Sequence, residues 1–233
     1  MAEHKTAAIL ACAGSGSRMK GSCSDKLLFD GLGTPVAAYA LKAYDETEGI
    51  DLLVVVTQSH LVPVYREFKE KYGIQKKVLV TVGGATRTES VLNGVRLVPE
   101  EYDFVAIGDG ARPLIRPQEI QATLEAAWEN GAAALGVPLT DTVKEVEGGQ
   151  ILRTVPRETL VGIQTPQAFR RVEYLELAAR AAESGEIFTD DASIYEFYGK
   201  PVSVVNGRRD NIKITMPEDL PMLLALMEAR KCE

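Results

Sequence analysis

Residues 7–18 read Ala7-Ala8-Ile9-Leu10-Ala11-Cys12-Ala13-Gly14-Ser15-Gly16-Ser17-Arg18, an apolar run of strand length that empties into a loop of small residues, with Lys26 beyond it. Glycines let backbone amides approach phosphate oxygens with no Cβ in the way, and an arginine and a lysine nearby neutralise charge. We read the loop as the seat of a nucleoside triphosphate; a tight turn after a buried strand is the plain alternative. Two familiar phosphate loops are excluded by spacing. A dinucleotide fingerprint needs a third glycine where Met19 stands, and a P-loop needs Gly-Lys-Ser/Thr where the chain has Gly16-Ser17-Arg18. The turn-rich segment Gly21-Ser22-Cys23-Ser24-Asp25 that follows keeps the chain irregular, so the loop is of a third kind.

The 233 residues can bury one sizeable core, and a single domain is expected. A formal charge of −7 argues against a general nucleic-acid or membrane-surface binder, so an anionic ligand must meet a local basic cluster. Cys12, Cys23 and Cys232 form no paired framework, and His4 and His60 are the only histidines, which leaves no zinc-type spacing. No apolar stretch has the length of a bilayer span or of a signal segment, and the expected compartment is a reducing cytoplasm.

Working outward, apolar runs recur at residues 52–57, 78–82, 104–107 and 132–137 with helix-like segments between them. Near-continuous runs such as Leu52-Leu53-Val54-Val55-Val56 suit strands covered on both faces, which predicts an α/β fold: a three-layer core around a mostly parallel sheet. Thr34 and Pro35 signal a first helix, Pro63 to Gly73 bound a second, and Pro217 opens the last. Ligands of such sheets sit beyond the carboxyl ends of the strands. Polar clusters stand at those ends: Gly83-Gly84-Ala85-Thr86-Arg87-Thr88-Glu89-Ser90, then Gly108-Asp109-Gly110-Ala111-Arg112. Thr88 and Ser90 read equally well as parts of an ordinary capped helix, whereas Asp109 and Arg112 are hard to explain by packing. Residues 138–158 alternate around Gly148-Gly149 and read as a hairpin arm with too little apolar surface to stand alone. Such an arm packs most simply on a second copy of the chain, or else folds back on its own domain. Thr189 or Asp190 caps a further helix, and a strand at 202–205 precedes Asn211, Lys213 and Thr215.

Taken together, the motifs resemble the 2-C-methyl-D-erythritol 4-phosphate cytidylyltransferases of non-mevalonate isoprenoid biosynthesis, nearly end to end. The resemblance rests on the AAILACAGSGSRM loop with Lys26, GGATRTESV, DGARP at Asp109, DTVK at Asp141, TVPR ending at Arg157, TPQAF at Thr165, TDDAS at Thr189 and DNIKIT with Lys213. It implies a Rossmann-like nucleotidyltransferase fold whose arm hooks two subunits into a homodimer. The implied reaction joins CTP and methylerythritol phosphate, releases pyrophosphate, and uses magnesium held mainly by the triphosphate oxygens, so that few protein ligands are needed.

Carried over residue by residue, the resemblance makes Arg18 and Lys26 the groups that stabilise charge on the α-phosphate and the departing pyrophosphate. Arg157 and Lys213 would hold the acceptor phosphate, Arg157 arriving from the partner subunit. Asp109, Arg112, Thr142, Thr165 and Thr189 would line the acceptor pocket. Ala13, Gly14, Gly83, Gly84 and Ser90 would read cytosine, Gly16 the phosphates, and Asp109 would border both ligands. The poverty of histidine fits, because a phosphate oxygen is already ionised at neutral pH and needs no general base. The sequence departs from the family pattern at Gly108 and Gly110, where bulkier or different residues are usual, and in the segment between Arg18 and Lys26. Two other readings stand beside this one: a ribitol 5-phosphate cytidylyltransferase, and a catalytically idle nucleotide-binding or assembly module.

Overall fold

The computed structural model describes residues 4–14, 26–30 and 33–230, with the side chain of Lys26 excluded. Its main sheet is built from β1 (Thr6–Ala11), β2 (Leu52–Thr57), β3 (Lys77–Val82), β4 (Phe104–Asp109), β5 (Ala132–Pro138), β8 (Val161–Arg170) and β9 (Ser203–Asn206). A hairpin of β6 (Val143–Glu147) and β7 (Gln150–Val155) is separate from it. The sheet order is β3-β2-β1-β4-β8-β5-β9, parallel throughout except for β8, which runs antiparallel to β4 and β5.

Alternation along β1 explains the three layers. Ala8 and Leu10 face one side, where they pack with α1 (Val36–Asp45), α2 (Val62–Tyr72), α4 (Pro117–Asn130) and α7 (Asp219–Arg230). Ala7 and Ile9 face the other, with α3 (Arg87–Val95), α5 (Arg171–Glu183) and α6 (Ala192–Phe197). Both faces being covered, a strand can be buried at every position, as β2 is, and apolar from Leu52 to Val56. None of the described helices is long and apolar enough to cross a membrane.

The expected runs of 52–57, 78–82, 104–107 and 132–137 all fall on strands, while three local expectations change. Thr34 does not cap α1; Pro35 holds the cap position at φ −63° without a side-chain bond, and the Val36 amide reaches Phe29 O at 3.2 Å. The last helix starts two residues after Pro217, at Asp219, whose carboxylate accepts the Thr215 and Met216 amides at 2.6 and 2.8 Å. The third change is β8 itself, a central strand with Gln164, Pro166 and Gln167 in it. Proline cannot donate to a ladder, so pairing with β4 stops at Gln167 and the register with β5 shifts between Ala134 and Gly136. Those interruptions hide the strand in the sequence.

The arm lies where β5 leaves the sheet and β8 returns to it. Among the described residues its two strands pair only with each other, and Val146, Ile151 and Leu152 are each more than half exposed.

Helix α3 sits very close to the sheet at Gly94, where an added Cβ would come within 2.6 Å of Val56 and 2.7 Å of Ile9. Gly94→Val should therefore destabilise the protein by roughly 1–3 kcal/mol through overpacking, seen as a lower urea midpoint at unchanged slope. A wild-type midpoint would mean that α3 can lift from the sheet at no cost.

Candidate active site

The carboxyl ends of β1, β3 and β4 meet at one edge of the sheet, next to the point where the strand order turns from β2 on one side of β1 to β4 on the other. Two sets of residues gather there. The first is a cradle of Ala13, Gly83, Gly84 and Ser90. A Cβ on Gly83 would come within 2.6 Å of Ala13 Cβ and 2.8 Å of Ser90 Oγ, so only glycine permits this approach. Gly14 follows directly, its carbonyl accepting from Gln58 Nε2 at 3.3 Å.

The amides of the 83–85 turn are engaged within the protein. Gly83 N–H donates to Thr57 O at 2.9 Å, Gly84 N–H to Ser90 Oγ at 3.0 Å, and Ala85 N–H to Glu89 Oε2 at 2.7 Å. Thr86 and Glu89 complete a reciprocal capping box at the start of α3. The Ser90 hydroxyl in turn donates to Thr86 O at 2.8 Å. What this turn can offer a ligand is therefore carbonyl oxygen and shape, and Ser90 holds the turn.

The second set lines a cavity of about 250 Å³ bounded by Arg87, Asp109, Arg112, Gln164, Thr165 and Gln167, with Thr189, Asp190 and Lys213 closing it. Asp109 stands at the end of β4 and is almost fully buried. Its Oδ2 is 2.9 Å from Lys213 Nζ and 3.5 Å from Arg112 Nε, and its amide donates to Thr165 Oγ1 at 3.0 Å. Thr165 thus gives the Asp109 amide a side-chain acceptor beyond Gln167, where the β4–β8 pairing has ended. The Arg112 Nη1 donates to Asn211 O at 2.6 Å, while its buried Nε has no hydrogen-bond acceptor among the described residues. A buried donor left in this way at a cavity wall suits an anionic or hydroxyl-bearing ligand.

Electrostatics follow from this packing. Burial pushes the Asp109 carboxyl up, yet Lys213, Arg87 and Arg112 together pull it below its ordinary 3.8, so it is ionised at neutral pH. Burial lowers Arg112, and Asp109 only partly offsets that. Burial, and then the charge on Asp109, raise the Tyr44 phenol far out of its usual range. Tyr44 and Cys12 also explain the two glycines that flank Asp109. A Cβ on Gly108 would collide with the Tyr44 hydroxyl and one on Gly110 with the Cys12 sulfur, so the departure from the family pattern is a matter of packing.

Of the residues singled out in the sequence, Asp109, Arg112, Thr165, Thr189 and Lys213 come together in the cavity. Thr142 and Arg157 do not line it: both are exposed on the arm, where Arg157 Nη1 donates to Thr140 O and Nε lies 3.8 Å from Glu158. Gly16, Arg18 and the side chain of Lys26 lie outside the described residues. Gln167 and Asp190 were missed. Gln167 stands within the TPQAF motif and Asp190 reads as a helix cap, and only the crossing of β8 beneath residues 189–192 brings them together. Among the described residues no group of three or more His, Cys, Asp or Glu could hold a metal, and Asp109 is already paired with two cations. This donor set fits magnesium carried on phosphate oxygens better than a protein cage.

Comparison with known proteins bears on the reaction. A family model described as 2-C-methyl-D-erythritol 4-phosphate cytidylyltransferase matches residues 6–229. Proteins of that name from Pelotomaculum thermopropionicum and Bacillus mycoides are 39% and 36% identical, over 97% and 96% of this chain and 96% and 98% of their own lengths. The 4-diphosphocytidyl-2C-methyl-D-erythritol synthase of Anaerococcus prevotii superposes with a TM-score of 0.86 at 28% identity over 97% of both chains. The Thermus thermophilus cytidylyltransferase gives 0.77 at 29% identity over 94% of this chain and 98% of its own.

The depressed Asp109 makes a pH prediction. A carboxyl whose folded pKa is lowered contributes stability that is complete above its unfolded value and is lost as pH falls through the lower folded one. Lys213→Met removes the largest opposing charge, so the Asp109 carboxyl should titrate at higher pH, read by carbon-13 NMR of the side chain. An unmoved midpoint would refute the pairing.

Proposed function

Because the chain belongs to the 2-C-methyl-D-erythritol 4-phosphate cytidylyltransferase family, it is a nucleotidyltransferase that moves CMP from CTP to that phosphate, and we propose how its residues divide the work. The acceptor phosphate oxygen attacks the α-phosphorus of CTP, the bond to the β-phosphate oxygen breaks, and pyrophosphate leaves. The observation that supports this division is the separation of two sites at one sheet edge: an uncharged cradle at the ends of β1 and β3, and a cavity carrying Asp109, Arg112 and Lys213 at the end of β4.

Cytosine sits on Ala13, Gly14, Gly83 and Gly84, where carbonyl oxygens can take its exocyclic amine, in a turn braced by Ser90. Gly16 borders the phosphates. Arg18 and Lys26 neutralise the charge that builds on the α-phosphate and the leaving group. Magnesium, when bound to the triphosphate, adds to that neutralisation. Asp109 takes hydroxyl groups of the acceptor, Thr165 and Thr189 flank it, and Lys213 keeps two of its three donors for the acceptor phosphate after pairing with Asp109.

The arm, about 138–158 of a single 1–233 domain, completes this site in a homodimer. Its exposed Val146, Ile151 and Leu152 give it an apolar face to bury, and Thr142 and Arg157 of the partner subunit reach the acceptor. Catalysis then rests on alignment and charge, with no proton-transfer residue required. The expected setting is the cytoplasm.

Purified protein with CTP and magnesium should release pyrophosphate with methylerythritol phosphate far faster than with ribitol 5-phosphate, and Lys213→Ala should reduce the rate by about 100-fold or more. The opposite substrate preference, or full activity in Lys213→Ala, would overturn the assignment. Mixing Arg157→Ala with Lys213→Ala protein should restore part of the activity through hybrid dimers. No recovery in a mixture shown to exchange subunits would put Arg157 in the site of its own chain.

A further inference from the structure

Arg87 opens α3 directly after the cradle turn, yet its guanidinium points across the cavity to a different wall. Its Nη2 lies 2.6 Å from Oδ2 of Asp191, which is fully buried, and the other Asp191 oxygen accepts from the Tyr174 hydroxyl at 2.6 Å. The amides of Asp191 and Ala192 donate to Gln167 Oε1 at 3.0 and 2.8 Å, and Gln167 Nε2 donates to Asp190 Oδ2 at 2.9 Å. Residues 189–192 are thereby fastened to β8 through Gln167, to α5 through Tyr174, and to α3 through Arg87. Only the last of these fastenings reaches the cradle.

A buried ion pair is a poor source of stability, since desolvation consumes most of its attraction and neutral replacements of similar shape often fold as well. Tyr174 and Gln167 would hold this turn around a neutral side chain too. The charge therefore calls for another reason, and the geometry offers one: a planar guanidinium on a short path fixes the spacing of the two segments that it joins. Burial works against the Arg87 charge, but Asp191 more than restores it, and the same charge helps to keep Asp109 ionised.

We propose that Arg87 and Asp191 are a positioning pair that sets the distance between the nucleotide cradle and the Thr189–Asp190 wall of the acceptor cavity, and so governs alignment of the two substrates rather than affinity for either. The proposal rests on the cytidylyl-transfer reading. In-line attack tolerates little misplacement, and an error of about 1 Å can cost on the order of 100-fold in rate.

The test is steady-state kinetics of pyrophosphate release by wild type, Asp191→Asn and Asp191→Glu, with CTP binding measured by calorimetry. Asp191→Asn should lower kcat by about 10- to 100-fold, with KM for each substrate and the CTP affinity within about three-fold of wild type. Asp191→Glu, which can rebuild the pair, should recover most of kcat. Wild-type kcat in Asp191→Asn, or a rise in KM alone, would overturn the positioning role. Should Asp191→Asn not fold, Arg87→Lys carries the same test, because a point charge on a flexible stem stays near Asp191 without fixing the spacing. A wild-type protein that released no pyrophosphate would instead refute the underlying reaction.

Discussion

A carboxylate held ionised at the end of a buried strand is the constraint on which this site depends. Asp109 continues β4 out of the core, and its charge is tolerable there only because Lys213 and Arg112 stand against it, with Arg87 adding to the field. Each cation comes from a different segment, so satisfying one carboxyl draws the strand end, the following turn and the 207–214 loop into a single wall. The flanking glycines serve the same end, since Tyr44 and Cys12 occupy the space that side chains at 108 and 110 would need.

A second layer of buried amides keeps that wall rigid. Asn211 Nδ2 donates to Gln164 Oε1 at 3.1 Å, and Gln164 Nε2 donates to Arg208 O at 2.9 Å, which ties the loop before Lys213 to β8. Further along, Asp210 takes Arg208 at 2.7 Å and Arg230 of α7 at 3.0 Å. The hydrogen bonds from Arg208 pull the Asp210 carboxyl down to about 2 although burial opposes them, and Arg230 adds to the effect. The closing helix thus anchors the loop that carries Lys213 three residues later. β8 has the central part in this: a strand with a proline and two glutamines is a poor ladder, but it presents Thr165, Gln164 and Gln167 to three different neighbours.

Much of this was readable along the chain. Continuous β-branched and apolar runs such as 52–56 suit strands covered on both faces, and glycine clusters after the runs at 7–12 and 78–82 mark strand ends where backbone must come close to something. Asp109 and Arg112 stood out as two charges flanking small residues, though their pairing shows only in the structure. Less was visible where the reason for a residue lies on another element. Gly83 and Gly84 are expected from the sequence to read cytosine, but their amides are already held by Thr57 and Ser90. Thr34 looked like a cap, but the proline after it and Phe29 O do that work.

The stretch from Ala7 to Gly14 determined, by itself, a buried strand that gives way to small residues, because apolar periodicity and glycine spacing are local properties. The sequence that follows, through Met19, excluded the dinucleotide and P-loop forms. Tertiary structure alone decided that β8 runs antiparallel through the middle of the sheet, that Gln167 holds the turn at 189–192, and that Arg87 crosses from the cradle to Asp191. These are pairings between residues 24 to 104 positions apart, counted from Gln167 to Asp191 and from Arg87 to Asp191. No local pattern encodes them; they exist only once the core has packed.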